Sequence, residues 1–298
     1  MIPISNDPKR RRQDPNDRIQ VLASGSVLVD YGPMRMVITA YEGSKPLTYL
    51  AREGGGIAVG ILEDLAKFLP VIRKKSKDLD IEAGFPDVVR RMIKATQKMG
   101  EPDLTPLAAV AGAASDVVSD LIFSQGGSKI IVDNGGDIAI RMKEGEVAKV
   151  GIKTEIDARE PSYLLTIDTT LRAGGIATSG LGGRSFTKGI ASAATIVSES
   201  ASLADAAATV VGNFTNVEDP SIRRTRAEMI YPDTDIAGEW VTTGVGELSK
   251  EKVESALVNG MEKADSIVKR GLIIGALISV QGRVVWTDTL GPLLTKIG

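Results

Sequence analysis

The chain has 298 residues, 43% of them hydrophobic, a formal net charge of −2, no cysteine and no histidine. That length and apolar content suffice for a substantial core, in one large domain or two small ones, and the near-neutral charge gives no sign of a nucleic-acid or membrane surface. The missing residue types exclude disulfides, thiolate nucleophiles, Cys/His zinc sites and imidazole acid–base chemistry, so any catalysis runs on carboxylates, hydroxyls, Lys or Arg, backbone amides or a bound metal.

Residues 1–18 form a polar leader containing Lys9-Arg10-Arg11-Arg12. It reads as a disordered, solvated arm, with a phosphate- or partner-binding arm as the other reading. The leader lacks the apolar stretch of a signal peptide, and no later run reads as a membrane span, so a cytoplasmic protein without a membrane partner is expected. Short strands are predicted at 19–23, 26–31 and 35–41, joined at Ser24-Gly25 and Gly32-Pro33, which suggests an antiparallel meander. Gly54-Gly55-Gly56 then precedes an apolar stretch at 57–69 with helical spacing. Three glycines there read as a flexible turn or as an anion cradle at a helix N-terminus. Arg73-Lys74-Lys75 reads as a solvated charge cluster.

Thr105-Pro106 signals a helix start, and the helix runs through a small-residue segment to about Phe123. Strands follow at 128–133 and 138–142, with a hairpin turn at Glu144-Gly145 before 147–153, and further strands at 162–168 and 192–198. Ser200 or Ser202 can cap a helix that includes Leu203. Ser249 caps another over 251–269, and 271–280 with 283–287 form a hairpin around Gln281-Gly282. Strands and helices do not alternate regularly, which predicts an α+β fold with mixed or antiparallel sheets layered with helices. No repeat or linker divides residues 19–298, so one domain is expected there.

Four groups can carry chemistry. Residues 174–183, Gly-Gly-Ile-Ala-Thr-Ser-Gly-Leu-Gly-Gly, read as a glycine-rich hydroxyl loop in which Thr178, Ser179 and Gly180 approach a phosphate or ring, or as a structural turn. The loop matches neither a Walker loop nor the dinucleotide fingerprint. Asp205 and Thr209, at i and i+4 of a helix, are hard oxygen donors suited to Mg²⁺, although Ser202 to Asp205 also has the spacing of a capping box. Asn134-Gly135-Gly136-Asp137 reads as a bulge or as bare backbone for a ligand, with Asp137 orienting a ribose or an amine. Arg184 and Lys188 read as phosphate-neutralising or merely solvated.

Taken in order, these pieces resemble the ApbE-like superfamily, whose best-known members are magnesium-dependent flavin transferases. Those enzymes attach the FMN half of FAD to a protein Thr or Ser and release AMP. The resemblance runs from about Leu107 to Gly212 through Ser115-Asp116, Gly135-Gly136-Asp137, Ala177-Thr178-Ser179-Gly180 and Leu203 to Thr209. The tail around Val241-Thr242, Gly244-Val245 and 271–282 looks like a shorter branch of the superfamily. The resemblance implies Asp205 and Thr209 as metal ligands, with a carbonyl near Ala111. It also implies Gly135, Gly136, Asp137, Thr178, Ser179, Gly180 and Arg184 as the lining of a flavin site. Mg²⁺ and FAD or FMN are the implied cofactors, and a protein acceptor the implied partner. Ala111 stands where the family carries a Lys. Arg184-Ser185-Phe186-Thr187-Lys188-Gly189 replaces a His-containing segment, so no residue is assigned as catalytic. Two readings result: a Mg-dependent flavin- or nucleotide-binding protein, a divergent FMN transferase or FAD hydrolase, and a non-catalytic accessory protein on the same fold. Monomer and oligomer are both left open.

Overall fold

A computed structural model of the chain describes residues 18–297. The polar arm lies outside the described residues except for Arg18, whose guanidinium sits 4.1 Å from the centre of the Tyr31 ring.

The chain begins with β1 (Ile19–Val21), β2 (Val27–Tyr31) and β3 (Met34–Glu42), the expected meander, with the short β4 (Lys45–Pro46) folded back on β3. Helices α1 (Thr48–Lys67), α2 (Leu69–Ile72), α3 (Asp87–Met99) and α4 (Val110–Ser124) come next. Then follow β5 (Lys129–Asp133), β6 (Ile138–Met142), β7 (Val147–Ile152), β8 (Tyr163–Asp168), β9 (Gly175–Ser179), β10 (Ala193–Ser198) and α5 (Ala201–Phe214). The remainder comprises β11 (Ile222–Arg226), α6 (Ala227–Ile230), β12 (Trp240–Val245), α7 (Lys250–Lys269), β13 (Gly275–Val280), β14 (Arg283–Trp286) and β15 (Leu294–Lys296).

Ten strands form one sheet in the order β1-β2-β3-β5-β6-β9-β10-β13-β14, with β4 beside β3. Its pairings are antiparallel, so the fold is α+β. In β3, Met34, Met36, Ile38 and Ala40 are buried while the residues between them are more open, the period of a strand covered chiefly on one face. β10 and β13 are instead buried at all six positions each. Helices α5 and α7 cover one of their faces, and the small sheet β15-β8-β7 meets the other through Leu165, Ile167, Val197 and Leu277.

Three expectations are corrected. Gly54-Gly55-Gly56 lies inside α1, so it offers no helix N-terminus to an anion. The helix uses two of these glycines for close packing: a Cβ on Gly54 would stand 3.2 Å from Val118, and one on Gly55 3.0 Å from Ile19. Glu144-Gly145 does not close a hairpin, because β6 stays in the large sheet while β7 pairs with β8, burying Ala148 and Ile152 against Ile140 and Ile176. Finally, Pro106–Ser124 is long and apolar enough to cross a membrane by length and composition, with a mean hydropathy of 1.5. It is the small-residue core helix of this fold, and Gly112 to Ser119 are all buried.

Gly56, by contrast, is exposed and would meet nothing within 4 Å on gaining a Cβ. Gly56→Ala is therefore expected to stabilise the protein by about 0.5–1 kcal/mol, the cost of glycine in a helix interior, as read from urea unfolding midpoints.

Candidate functional site

The site begins with two helix ends, of which α4 lacks a side-chain cap of its own and α5 has only Ser200. No side chain of the residue preceding α4 caps its first turn, although the leading N–H groups of any helix need partners. Asp205, from α5, supplies the partner: its carboxylate accepts from Gly112 N–H at 3.0 Å and from the N–H of Ala111. Helix α5 is served reciprocally. Its N-cap Ser200 accepts from Leu203 N–H, while Asp116, from α4, accepts from Ala201 N–H at 3.0 Å and Ser202 N–H at 2.8 Å. Each helix thus caps the other with a carboxylate placed where the helix dipole favours negative charge. Arg141 on β6 neutralises the fully buried Asp116 at 3.0 Å and reaches Asp120 at 2.5 Å. Such an approach needs Gly112, because a Cβ there would lie 2.2 Å from Ala201 O.

Beside these helix ends the sheet opens. Two residue pairs, Ile138↔Ile176 and Ala139↔Gly175, join β6 to β9, after which β9 continues while β6 ends at the turn 134–137. Gly135 and Gly136 take φ values of 73° and 103° in this turn, a left-handed backbone that favours glycine. Gly136 N–H donates to Asp133 Oδ1 at 2.8 Å, and Ser115 Oγ donates to the Asp137 carbonyl at 2.8 Å. The Asp137 carboxylate accepts Thr178 N–H across the opening and faces Asp205.

The two carboxylates keep some solvent access as residues, yet their carboxyl groups are set among protein atoms. Burial lifts Asp205 to about 7, against the opposing pull of the Gly112 and Ala111 amides. Burial, and after it the Asp205 charge, push Asp137 well above the ordinary carboxylate range, with Arg184 opposing. Paired acids perturbed in this way, in an opening of the sheet, have the electrostatics of a functional site.

The other residues singled out from the sequence fall unevenly around this centre. Residues 175–179 are not a loop but strand β9, and the turn starts only at Gly180. The leading glycines make room for the chain entering α5: a Cβ on Gly174 would stand 2.3 Å from Glu199 O, and one on Gly175 2.0 Å from Ala201 N. Being strand neighbours, Thr178 and Ser179 point to opposite faces. Thr178 shares a hydrogen bond with Thr195 at 2.8 Å, whereas Ser179 faces Gly212 of α5, so their side chains do not line one surface. Asp205 serves no capping box, because Ser200 rather than Ser202 is the N-cap. Thr209 lies one turn beyond Asp205 on α5, partly open to solvent.

Arg184 donates to Pro33 O at 3.0 Å and Asn134 O at 3.2 Å, lying over Gly135 so closely that a Cβ there would be 2.0 Å from its Nη2. The bare backbone at Gly135 is therefore covered by a guanidinium. Lys188 is ion-paired with Asp103 and, at 2.8 Å, with Glu239. Two carboxylates already neutralise it, which corrects its reading as a phosphate-binding lysine. Asn134 stands in the sequence motif without a role of its own, yet its buried Oδ1 has no partner. Sequence reasoning missed the Asp116–Arg141 pair, 25 residues apart, for which no local pattern exists.

The donors at this centre are carboxylate, hydroxyl and amide oxygens, the chemistry of a hard cation. Among the described residues, no group of three or more His, Cys, Asp or Glu side chains forms a dedicated metal cage. The set fits Mg²⁺, which commonly takes one or two carboxylates and fills its remaining positions with water and substrate phosphate. The Ala111 carbonyl fits less well, because Ser115 Oγ donates to it at 3.0 Å and Asn134 Nδ2 at 3.4 Å.

Comparison with known proteins agrees with this architecture. The family described as AbpE bacteria matches residues 19–286. A UPF0280 protein of Methanosarcina barkeri is 38% identical over 137 residues, covering 46% of this chain and 52% of that protein. A UPF0280 protein of Methanococcoides burtonii is 30% identical over 183 residues, covering 61% of this chain and 74% of that protein. With 52% and 62% of the first two covered, the chain spans little more than half the length of such curated relatives. The apo crystal structure of the Pseudomonas stutzeri flavinyl transferase ApbE superposes with a TM-score of 0.51 at 15% identity, over 92% of this chain and 97% of that one, a likeness of fold alone. With the family model matching from residue 19 to residue 286, the chain belongs to the family described as AbpE bacteria, and its α+β fold is ApbE-like.

Proposed function

We propose that this chain binds a flavin nucleotide, FAD or FMN, together with Mg²⁺, where the sheet opens beside the N-terminal ends of α4 and α5, and that it acts on FAD as a divergent FMN transferase or hydrolase. The observation that carries this reading is the pair Asp137 and Asp205, two acidic groups raised chiefly by burial, with the Asp205 charge raising Asp137 further and the Asp116 charge raising Asp205. Asp205 and Thr209 would hold the metal, and Gly135, Gly136, Asp137, Thr178, Ser179, Gly180 and Arg184 would surround the nucleotide. Ser179 would do so from the α5 face of β9 and Thr178 from the other, with the Arg184 guanidinium presented in place of bare backbone at Gly135. Bound there, Mg²⁺ would offset the negative charge of a pyrophosphate. The chain's own part is to orient the ligand through the Thr178 strand end and to set the Arg184 guanidinium beside it. Residues 19–298 act in this reading as one domain.

The reading is tested by AMP release from FAD. Release that requires Mg²⁺ and is lost in Asp205→Ala is the expected result, and no AMP, with or without a protein acceptor, removes the enzymatic claim. The absence of histidine from the chain, and the engagement of Lys188 by Asp103 and Glu239, favour the second reading, a non-catalytic flavin-binding accessory protein. That reading expects FAD or FMN to raise stability, by about 2.7 kcal/mol at a hundredfold excess over Kd, with no turnover. If no flavin or nucleotide stabilises the protein, both readings fail.

A further inference from the structure

We propose that the side-chain carbonyl of Asn134 is a further protein oxygen for the cation that Asp205 and Thr209 would hold beside Asp137; this rests on the metal reading given above. Asn134 is held through its main chain and its amide nitrogen. Its N–H donates to Asp137 O at 3.1 Å, its carbonyl accepts from Arg184 Nη2 at 3.2 Å, and its Nδ2 donates to Ala111 O at 3.4 Å. The residue is 5% exposed, and its Oδ1 is buried without a partner. The amide cannot simply be turned over, since that would set Oδ1 against the Ala111 carbonyl. A buried acceptor left in this state costs about 1–3 kcal/mol, so a group that satisfies it has a matching gain to offer.

The surroundings identify that group. Asp205 accepts the N–H of the same Ala111 whose carbonyl Asn134 contacts, so Asn134 and Asp205 bracket one residue. Asp137 closes the turn that Asn134 opens, and its carboxylate faces Asp205. Among the described residues, no Lys or Arg side chain donates a hydrogen bond to Asp137 or Asp205. Arg184, the nearby guanidinium, spends its donors on the main-chain oxygens of Pro33 and Asn134. A ligand N–H would satisfy Oδ1 but leave two acidic groups opposed. A hard divalent cation answers both at once, because it can take a neutral amide oxygen as a ligand while offsetting carboxylate charge.

The test measures Mn²⁺ binding to the full-length chain without nucleotide, by electron paramagnetic resonance of the free ion and by calorimetry. Wild type is compared with Asn134→Ala, Asn134→Asp and Asp205→Ala, each checked for folding by circular dichroism. Asn134→Ala is expected to weaken Mn²⁺ by at least about tenfold. Asn134→Asp keeps an oxygen at the position, so it is expected to bind at least as tightly as wild type and to gain more thermal stability from Mn²⁺. Wild-type affinity in Asn134→Ala, alongside lost binding in Asp205→Ala, would overturn the role of Asn134 and leave the metal reading standing. If Asn134→Ala does not fold, Asn134→Asp decides alone, and weaker binding there overturns the proposal. No Mn²⁺ binding by wild type would sink the metal reading and this inference together.

Discussion

Asp116→Ala is expected to destabilise the protein by about 3–5 kcal/mol, the range for breaking a buried ion pair by removing one partner. Asp116 is fully buried and serves three donors: Arg141 Nη2 and the N–H groups of Ala201 and Ser202. Its removal strips α5 of two capping bonds and leaves Arg141 with Asp120 as its remaining carboxylate partner. Asp116→Asn keeps the shape but turns one acceptor into a donor facing other donors, so it should recover only part of the loss. Denaturant unfolding followed by far-UV circular dichroism checks both variants. A loss below about 1 kcal/mol in Asp116→Ala would mean that the cap and the charge pair are not desolvated as the structure has them.

The second large effect is expected at Gly112, where propensity and packing disagree in sign. Helix propensity alone favours Ala over Gly by about 1 kcal/mol. Packing opposes it more strongly, because the added Cβ would stand 2.2 Å from Ala201 O and 2.9 Å from Asp205 Cβ. The obstacle at Ala201 is main chain and cannot swing aside, so α4 and α5 must separate, stretching both cross-caps together. Gly112→Ala is therefore expected to cost about 3 kcal/mol or more and to weaken ligand binding by displacing Asp205. Stability at or above wild type would show that the two helices do not touch there. Gly56→Ala is the matched control: the same substitution on an open face, with the opposite expected sign.

The strands could be read from the sequence where turn chemistry brackets them. The meander 19–42, the hairpin around Gln281-Gly282 and the Ser249-capped α7 all stand where local signals put them. Several of the failures share one cause, which is that glycine is ambiguous. Gly54-Gly55 and Gly174-Gly175 read as turns because glycine is permissive in φ, yet here they provide clearance for chain segments distant in sequence. The same ambiguity left Asn134, the residue before a glycine pair, without a role of its own. Asp205 was legible as an oxygen donor on a helix face. Its engagement with the start of α4, and its opposition to Asp137, depend on contacts 93 and 68 positions apart that no periodicity encodes.

The exchanged caps of α4 and α5 also bear on when the site comes into being. During synthesis α4 is complete some 80 residues before Asp205 emerges to cap it, and α5 in turn waits for Asp116 to be in place. Closing so long a loop costs entropy before any contact repays it, so this junction belongs to the late, non-local part of folding. The acidic pair therefore exists only once the segments carrying Asp137 and Asp205 have come together. A cation or nucleotide bound at the junction would act as a latch on the finished fold, slowing its unfolding far more than it speeds its formation.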